Sequence, residues 1–351
     1  ESSSYSIDKV SNGPIKLNAY LDNSFFKFNQ YVEWYIRSVY DNHDNYKRES
    51  NWEGSSFSTE SINSVYEAWL PENINSGAWH VLGLPFPLTT EIPGSIVFGQ
   101  EQQFNDKSEP TNWAMYFFNA NDQSFHTQNA LHPGGNGGEA YLLYSTSNFN
   151  TNDIRNQLEV MVNDGNLYSN TFDYSDIPLN SGWNLLGWPY THDFQADFNI
   201  NLDLISNFWF LQDGNWVIEE NLHFRPFDGF AVYNKTNEQI TIGSAVTINN
   251  QARLAKQNNI EWGLNFSLSS KNEKIIDKFN YIGVSLISED GIDPTDEMNP
   301  PFLGKGIDAT FIENNYKLAV NNKSMNNDFN IWELQLQSEI KESLVLKWSE
   351  V

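Results

Sequence analysis

The sequence predicts an all-β fold of tandem β-sandwich-like modules with an internal duplication, and three observations carry that expectation. First, one motif occurs twice: Asn75-Ser76-Gly77-Ala78-Trp79-His80-Val81-Leu82-Gly83-Leu84-Pro85-Phe86 returns as Asn180-Ser181-Gly182-Trp183-Asn184-Leu185-Leu186-Gly187-Trp188-Pro189-Tyr190. Its tryptophan, glycine and proline recur at a single offset of 104 residues (79 to 183, 83 to 187, 85 to 189). Self-similarity at a fixed offset marks one structural unit used twice. Second, aromatic residues make up 15% of the chain and are interleaved with Asn, Asp, Ser and Thr. That mixture suits pleated strands and polar turns, whereas helix bundles are rich in Leu, Ala and Lys. Third, short alternating runs follow one another to the end of the chain, the period-2 signature of half-buried strands.

Residues 1–72 read as an N-terminal β module, whole or incomplete. Val32, Trp34 and Ile36 share one face of a strand, and Val65 to Pro71 forms another that the proline ends. Asp41 to Ser56 is polar, charged and without apolar periodicity, so a loop is expected there.

Residues 73–177 form the first repeat copy and 178–250 the second. After the Trp79 strand come Trp113 to Phe118, a turn at Asn119-Ala120-Asn121-Asp122, Ser124-Phe125, the His132-Pro133 glycine loop, Tyr141 to Tyr144, and Leu158 to Val162. The second copy answers with Phe208 to Leu211, the turn Gln212-Asp213-Gly214-Asn215, Trp216-Val217, Arg225-Pro226, Phe230 to Tyr233 and Ile240 to Ile242. Asp-Gly between two aromatic runs is a hairpin signal.

Residues 251–351 read as a C-terminal β-sandwich. Strands are expected at Trp262 to Leu268, Tyr281 to Leu286, Ile307 to Phe311, Tyr316 to Val320, Trp332 to Leu336 and Leu344 to Trp348, with a short linker helix over Gln251 to Asn259.

The formal charge of −25 over 351 residues argues against nucleic acid and anionic membranes as partners. The absence of cysteine removes disulfides, thiolate zinc sites and cysteine nucleophiles together. For an exported protein it favours a bacterial origin. No apolar run reaches the length of a membrane span, so no membrane insertion is expected. The chain opens on Glu1-Ser2-Ser3-Ser4, without an initiator Met or a signal peptide, as a processed or excised piece would.

The blocks SGWNLLGWPY, FWFLQDGNWV and FRPFDGFAVYN resemble repeat modules of large secreted or cell-surface Bacteroidetes-type proteins exported by type IX secretion. In that family a Trp strand with a Pro turn precedes an aromatic hairpin. IEWGLNFSL, DGIDPTDEMNPP and IWELQLQ resemble the β-sandwich that often follows. The resemblance covers most of residues 74–351. It implies an extracellular or cell-surface location and a modular, largely structural context, with other domains of the same protein as partners; it names no activity.

Residue chemistry points the same way. His43, His80, His126, His132, His192 and His223 form no metal-ligand pair at helical or strand spacing, and no nucleophile elbow, Walker loop or dinucleotide fingerprint occurs. The glycine loop after His132 matches the shorter Arg225-Pro226-Phe227-Asp228-Gly229 of the second copy, which makes it a turn. Asp290, Asp293, Asp296 and Glu297 lie in a turn-forming loop and offer the hard oxygen ligands that calcium takes. The same loop also reads as a solvated acidic turn. Among the tryptophans, Trp183 repeats Trp79 and is assigned to packing. Trp188, which stands opposite Leu84 of the first copy, and Trp216 are the candidates for stacking on a glycan. The expected role is a non-catalytic structural, spacer or adhesion segment. A carbohydrate-binding accessory region of a larger extracellular enzyme is the alternative, with glycans or other cell-surface proteins as partners.

Overall fold

The computed structural model describes residues 73–150, 177–247 and 260–350 apart from short breaks, and parts of 31–58. The fold is all-β; among the described residues the helices are two single turns, Gly94–Val97 and Ile242–Ala245. Val65 to Pro71, the glycine loop at 132–137, Leu158 to Val162 and the Gln251 to Asn259 linker lie outside the described residues.

The polar stretch expected to be a loop is not one. Val39–Asn42 pairs with Tyr46–Glu49, and Glu53–Ser58 pairs antiparallel with Tyr31–Ile36. A ladder is held by backbone hydrogen bonds, which require no apolar alternation.

Eight strands build the central sheet: β1 (Trp79–Leu84), β2 (Trp113–Asn119), β3 (Ser124–Gln128), β4 (Glu139–Ser145), β5 (Gly182–Gly187), β6 (Trp209–Gln212), β7 (Asn215–Ile218) and β8 (Gly229–Asn234). Their order is β7-β6-β8-β5-β4-β2-β3, with β1 on the other edge of β4. Each copy therefore has the same antiparallel plan. The opening strand (β1 or β5) pairs with the closing strand (β4 or β8), which pairs with the first strand of a hairpin. The copies join in one sheet where Glu139 stands opposite Leu186.

The register repeats as well. Trp79 faces Tyr144 across β1 and β4, and Trp183 faces Tyr233 across β5 and β8. The ring centroids lie 5.1 and 5.3 Å apart, within the range of favourable tilted pairs. Satellite ladders repeat too: Asn73–Ile74 with Phe149–Asn150 matches Pro178–Leu179 with Ile240–Thr241. Likewise Ile92–Pro93 with Ala130–Leu131 matches Phe194–Ala196 with Leu222–Phe224.

The copies meet through reciprocal contacts. The Gly83 N–H donates to the Phe227 carbonyl at 2.9 Å, and the Gly187 N–H donates to the Gly138 carbonyl at 2.8 Å. Phe227 and Gly138 hold equivalent positions, and both have positive φ (69° and 82°). The hairpin tip of each copy also rests on the start of the other's Trp strand. Gln123 accepts from the Trp183 N–H at 2.6 Å, while Gly214 lies against Ala78 and Trp79. The two copies are thus related by a pseudo-two-fold.

The C-terminal sheet comprises β9 (Ile260–Ser270), β10 (Ile276–Ser285), β11 (Glu297–Met298), β12 (Ile307–Glu313), β13 (Tyr316–Ser324), β14 (Glu333–Ser338) and β15 (Leu344–Glu350). Its order is β14-β12-β13-β10-β9-β15, with β11 beside β13 and with β10 and β13 parallel. Six of these strands coincide with the six expected from alternation.

Candidate functional site

The groups that carry chemistry gather at the seam between the repeat sheet and the C-terminal sheet. One apolar core crosses that seam. Trp79 and Leu142 of the first copy, Leu185 and Trp209 of the second, and Ala319 of β13 belong to a single buried cluster, with Phe279 and Leu303 packed against it. Trp183 and Tyr233 are half-buried and pack on Ile282, Met298, Phe311 and Leu318 of the C-terminal sheet.

A polar latch lies beside this core. Glu297 opens β11 and is 4% exposed. Its Oε1 accepts from the Asn207 N–H at 2.8 Å and from Trp209 Nε1 at 3.1 Å, and its Oε2 accepts from Asn207 Nδ2 at 2.9 Å. Lys235, at the end of β8, donates from Nζ to the Asp296 carbonyl at 3.1 Å. Burial pushes the Glu297 carboxyl up to about 6, held back from rising further by nearby Lys235 and the Asn207 and Trp209 donors. Burial likewise pushes Asp296 up to about 7 and lowers Lys235.

The acidic loop is therefore occupied with backbone groups. Asp293 Oδ2 accepts from the Glu289 N–H at 2.7 Å, and its Oδ1 accepts from the Thr295 N–H at 2.6 Å. Asp296 accepts from the Asp293 N–H at 3.0 Å and from the Asn322 N–H at 2.8 Å. Asp290 is exposed. Among the described residues no three His, Asp or Glu side chains converge as a metal-holding group. Asp in a turn is a ready acceptor for nearby N–H groups, and Asp293 and Asp296 act as such here.

Trp188 also sits where the sequence did not place it. It is 3% exposed and stacks on Phe224 with centroids 4.8 Å apart and planes 14° from parallel. It fills a core with Phe208, Phe210 and Phe230 and presents no face to a sugar. The first copy, with Leu84 at this position, builds its stack from Trp113 on Phe98 instead, at 4.5 Å. The Leu-to-Trp exchange is a change of core volume made good elsewhere, not a release from packing.

Trp216, on β7, is half-buried and does border an opening. A cleft of about 50 Å³ at the seam is lined by Trp209, Trp216, Asp277, Asn299, Phe302 and Asp308, among others. Asp277 accepts from the Ala309 N–H at 2.7 Å and from Asn280 Nδ2 at 2.8 Å, and burial pushes it up to about 7. Asp308 is 7% exposed and accepts from Asn299 Nδ2 through Oδ1 at 2.8 Å. Burial raises this carboxyl as well. Asp277, Asn299 and Asp308 were not singled out from the sequence. The available signal was at Asp308, an ionisable residue within the run Ile307-Asp308-Ala309-Thr310-Phe311, whereas Asp277 stands beside Lys278 and reads as part of a charged pair.

A second polar trio has the residue types of a catalytic triad. Asp122, Ser124 and His126 meet at the exposed tip of the β2–β3 hairpin. The His126 Nε2 lies 2.8 Å from Asp122 Oδ2 and 3.0 Å from Ser124 Oγ, while Ser124 Oγ donates to Asp122 Oδ1 at 2.7 Å. A catalytic triad orients its imidazole through Nδ1 and keeps Nε2 for the serine. Here one nitrogen faces both partners and the serine donates to the aspartate, so the trio ties a turn.

Compared with protein-family models, curated proteins and solved structures, the chain matches none. Among the described residues no helix is long and apolar enough to cross a membrane.

Proposed function

We propose that this chain is a non-catalytic structural segment of a bacterial secreted or cell-surface protein, which spaces, displays or adheres beside other domains of the same protein. The observation that supports this reading best is the single core running from Trp79 through Trp209 to Ala319. Domains joined only by a linker move relative to one another, and a large apolar interface suppresses that motion. The Glu297 latch adds directional bonds that fix the angle between the two sheets. A spacer or display element requires such a fixed geometry. The charge of −25 and the lack of cysteine suit an exported bacterial protein.

Denaturant unfolding followed by tryptophan fluorescence and far-UV circular dichroism tests the reading. The repeat sheet and the C-terminal sheet are expected to unfold in one coincident transition. Two separable transitions would describe beads on a hinge and defeat the rigid-spacer reading.

A further inference from the structure

We propose that the end of the C-terminal sheet where β10 and β13 finish is a docking surface for another polypeptide, one that presents an apolar face edged with Lys or Arg. Among the described residues twelve large hydrophobic side chains are exposed, and six of them gather here: Trp262, Leu286, Ile287, Met325, Phe329 and Ile331. They arrive from three separate stretches of chain. β10 and β13 run parallel and end level, with Ser285 beside Ser324. Leu286 and Ile287 leave the first strand and Met325 leaves the second, its N–H donating to the Ser285 carbonyl at 3.2 Å. Asn330 Nδ2 donates to the Ser324 carbonyl at 3.2 Å, which brings Phe329 and Ile331 to the same point. Trp262 stands opposite Val284 and reaches Trp332, the residue after Ile331, with ring centroids 6.1 Å apart. Phe329 and Ile331 are 76% and 71% exposed, whereas the described parts of both repeat copies together expose only Ile96 and Phe104. Exposed apolar residues are ordinary when scattered singly; gathered into one patch they mark an interaction site.

The rim of the patch selects the partner. Among the described residues the charged side chains within three positions of the patch in sequence are Glu261, Glu289, Asp290, Glu333 and Lys323. The lysine is already committed, 2.8 Å from Glu313. An apolar centre is thus edged by carboxylates, on a chain whose net charge is −25. A second copy of the chain would set the same carboxylates against these, and an anionic lipid surface would be repelled in the same way. A cationic rim is drawn in, while the apolar face it surrounds covers the six side chains and excludes water from them.

The inference rests on the adhesive or display side of the proposed function, but the two fail separately, because rigidity is read from unfolding and the surface from binding. Three synthetic peptides of equal length are titrated into the 351-residue chain at physiological ionic strength, with binding followed by calorimetry. One is an amphipathic helix of Leu and Lys, the second keeps its Leu face with Glu for Lys, and the third keeps its Lys with Ser for Leu. The Leu/Lys peptide is expected to bind saturably, and the other two at least tenfold more weakly. Phe329→Ser with Ile331→Ser, and Leu286→Ser with Ile287→Ser, should each weaken the Leu/Lys peptide at least tenfold. If one pair folds poorly, the other decides alone. The proposal is overturned if the Leu/Lys peptide does not bind saturably, if either control peptide matches it, or if binding persists unchanged in the folded variants. A wild-type dimer in sedimentation that either pair of substitutions dissociates would also overturn it, in favour of a second copy. Binding to phosphatidylcholine vesicles that the same substitutions abolish would overturn it in favour of a lipid surface.

Discussion

Gly83 and Gly187 face each other across the boundary between the two repeat copies, so closely that a Cβ on Gly187 would lie 2.7 Å from the Gly83 Cα. A Cβ on Gly83 would likewise lie 2.8 Å from the Gly187 Cα and 2.1 Å from the Asp228 carbonyl oxygen. These neighbours are backbone atoms and cannot swing aside. Glycine recurs in the motif because the motif packs against its own copy.

Replacing either glycine with alanine should therefore destabilise the fold, by roughly 1–3 kcal/mol or more for overpacking against a rigid backbone. Chemical denaturation of Gly83→Ala and Gly187→Ala measures it. Wild-type midpoints would mean the copies do not approach as described.

Trp188→Ala removes a ring that is 3% exposed and stacked on Phe224. A loss of about 3–5 kcal/mol is expected for a large core aromatic. A wild-type midpoint would mean that the ring does not pack in this core.

Much of this architecture was legible beforehand. Trp79 and Trp183 announced the duplication, and the alternation at Ile307 to Phe311 and Tyr316 to Val320 announced strands. What sequence periodicity could not convey was where each copy's surplus surface goes. Trp79 is 4% exposed, whereas Trp183, its repeat, stays half-buried and packs on the C-terminal sheet. Trp188 read as unconstrained because its partner position holds Leu84, although core volume can be exchanged between neighbouring positions. The acidic loop admitted both a calcium site and a solvated turn, because carboxylates that serve backbone N–H groups look the same in sequence as carboxylates that serve a metal. Asp277 and Asp308 come together only through pairings between strands distant in sequence.

Stability should fall as pH rises from about 5 to 8. Asp277 and Asp296 stand at about 7 in the folded state and Glu297 at about 6, all above their unfolded values. A raised folded value means the folded state holds its proton more tightly. The contribution is complete below the unfolded value and is lost as pH climbs through the folded one. Thermal melts at pH 5 and pH 8 in equal salt should show the lower midpoint at pH 8. A higher midpoint at pH 8 would mean these carboxyls are better solvated than their burial implies.

Asp308→Asn should stabilise the protein at pH 8, by about 1 kcal/mol, because it removes a buried charge whose Oδ2 has no hydrogen-bond partner and which Lys317 and the Asn299 amide offset only in part. Differential scanning calorimetry compares the two chains directly. A destabilised variant would indicate that the attraction of Lys317 outweighs the cost of burying the Asp308 charge.

Glu297→Ala leaves the Asn207 N–H and the Trp209 indole N–H unpaired at the seam. A cost of about 2–3 kcal/mol is expected, of the size seen when hydrogen bonds to a charged partner are lost. The repeat sheet and the C-terminal sheet should then begin to unfold separately. Retained cooperativity would assign the coupling to the apolar core alone.

The reciprocal bonds of Gly83 to Phe227 and of Gly187 to Gly138 have the form of an isologous interface, in which one patch is complementary to itself. A fused pair of this kind is a homodimer with its dissociation step removed: the partner is always present, at a local concentration set by the chain and not by expression level. Tethering also frees the halves from identity. A true homodimer must accept every substitution twice, whereas here one half carries Leu84 and the other Trp188, and only one half bears the Trp216 that borders the cleft.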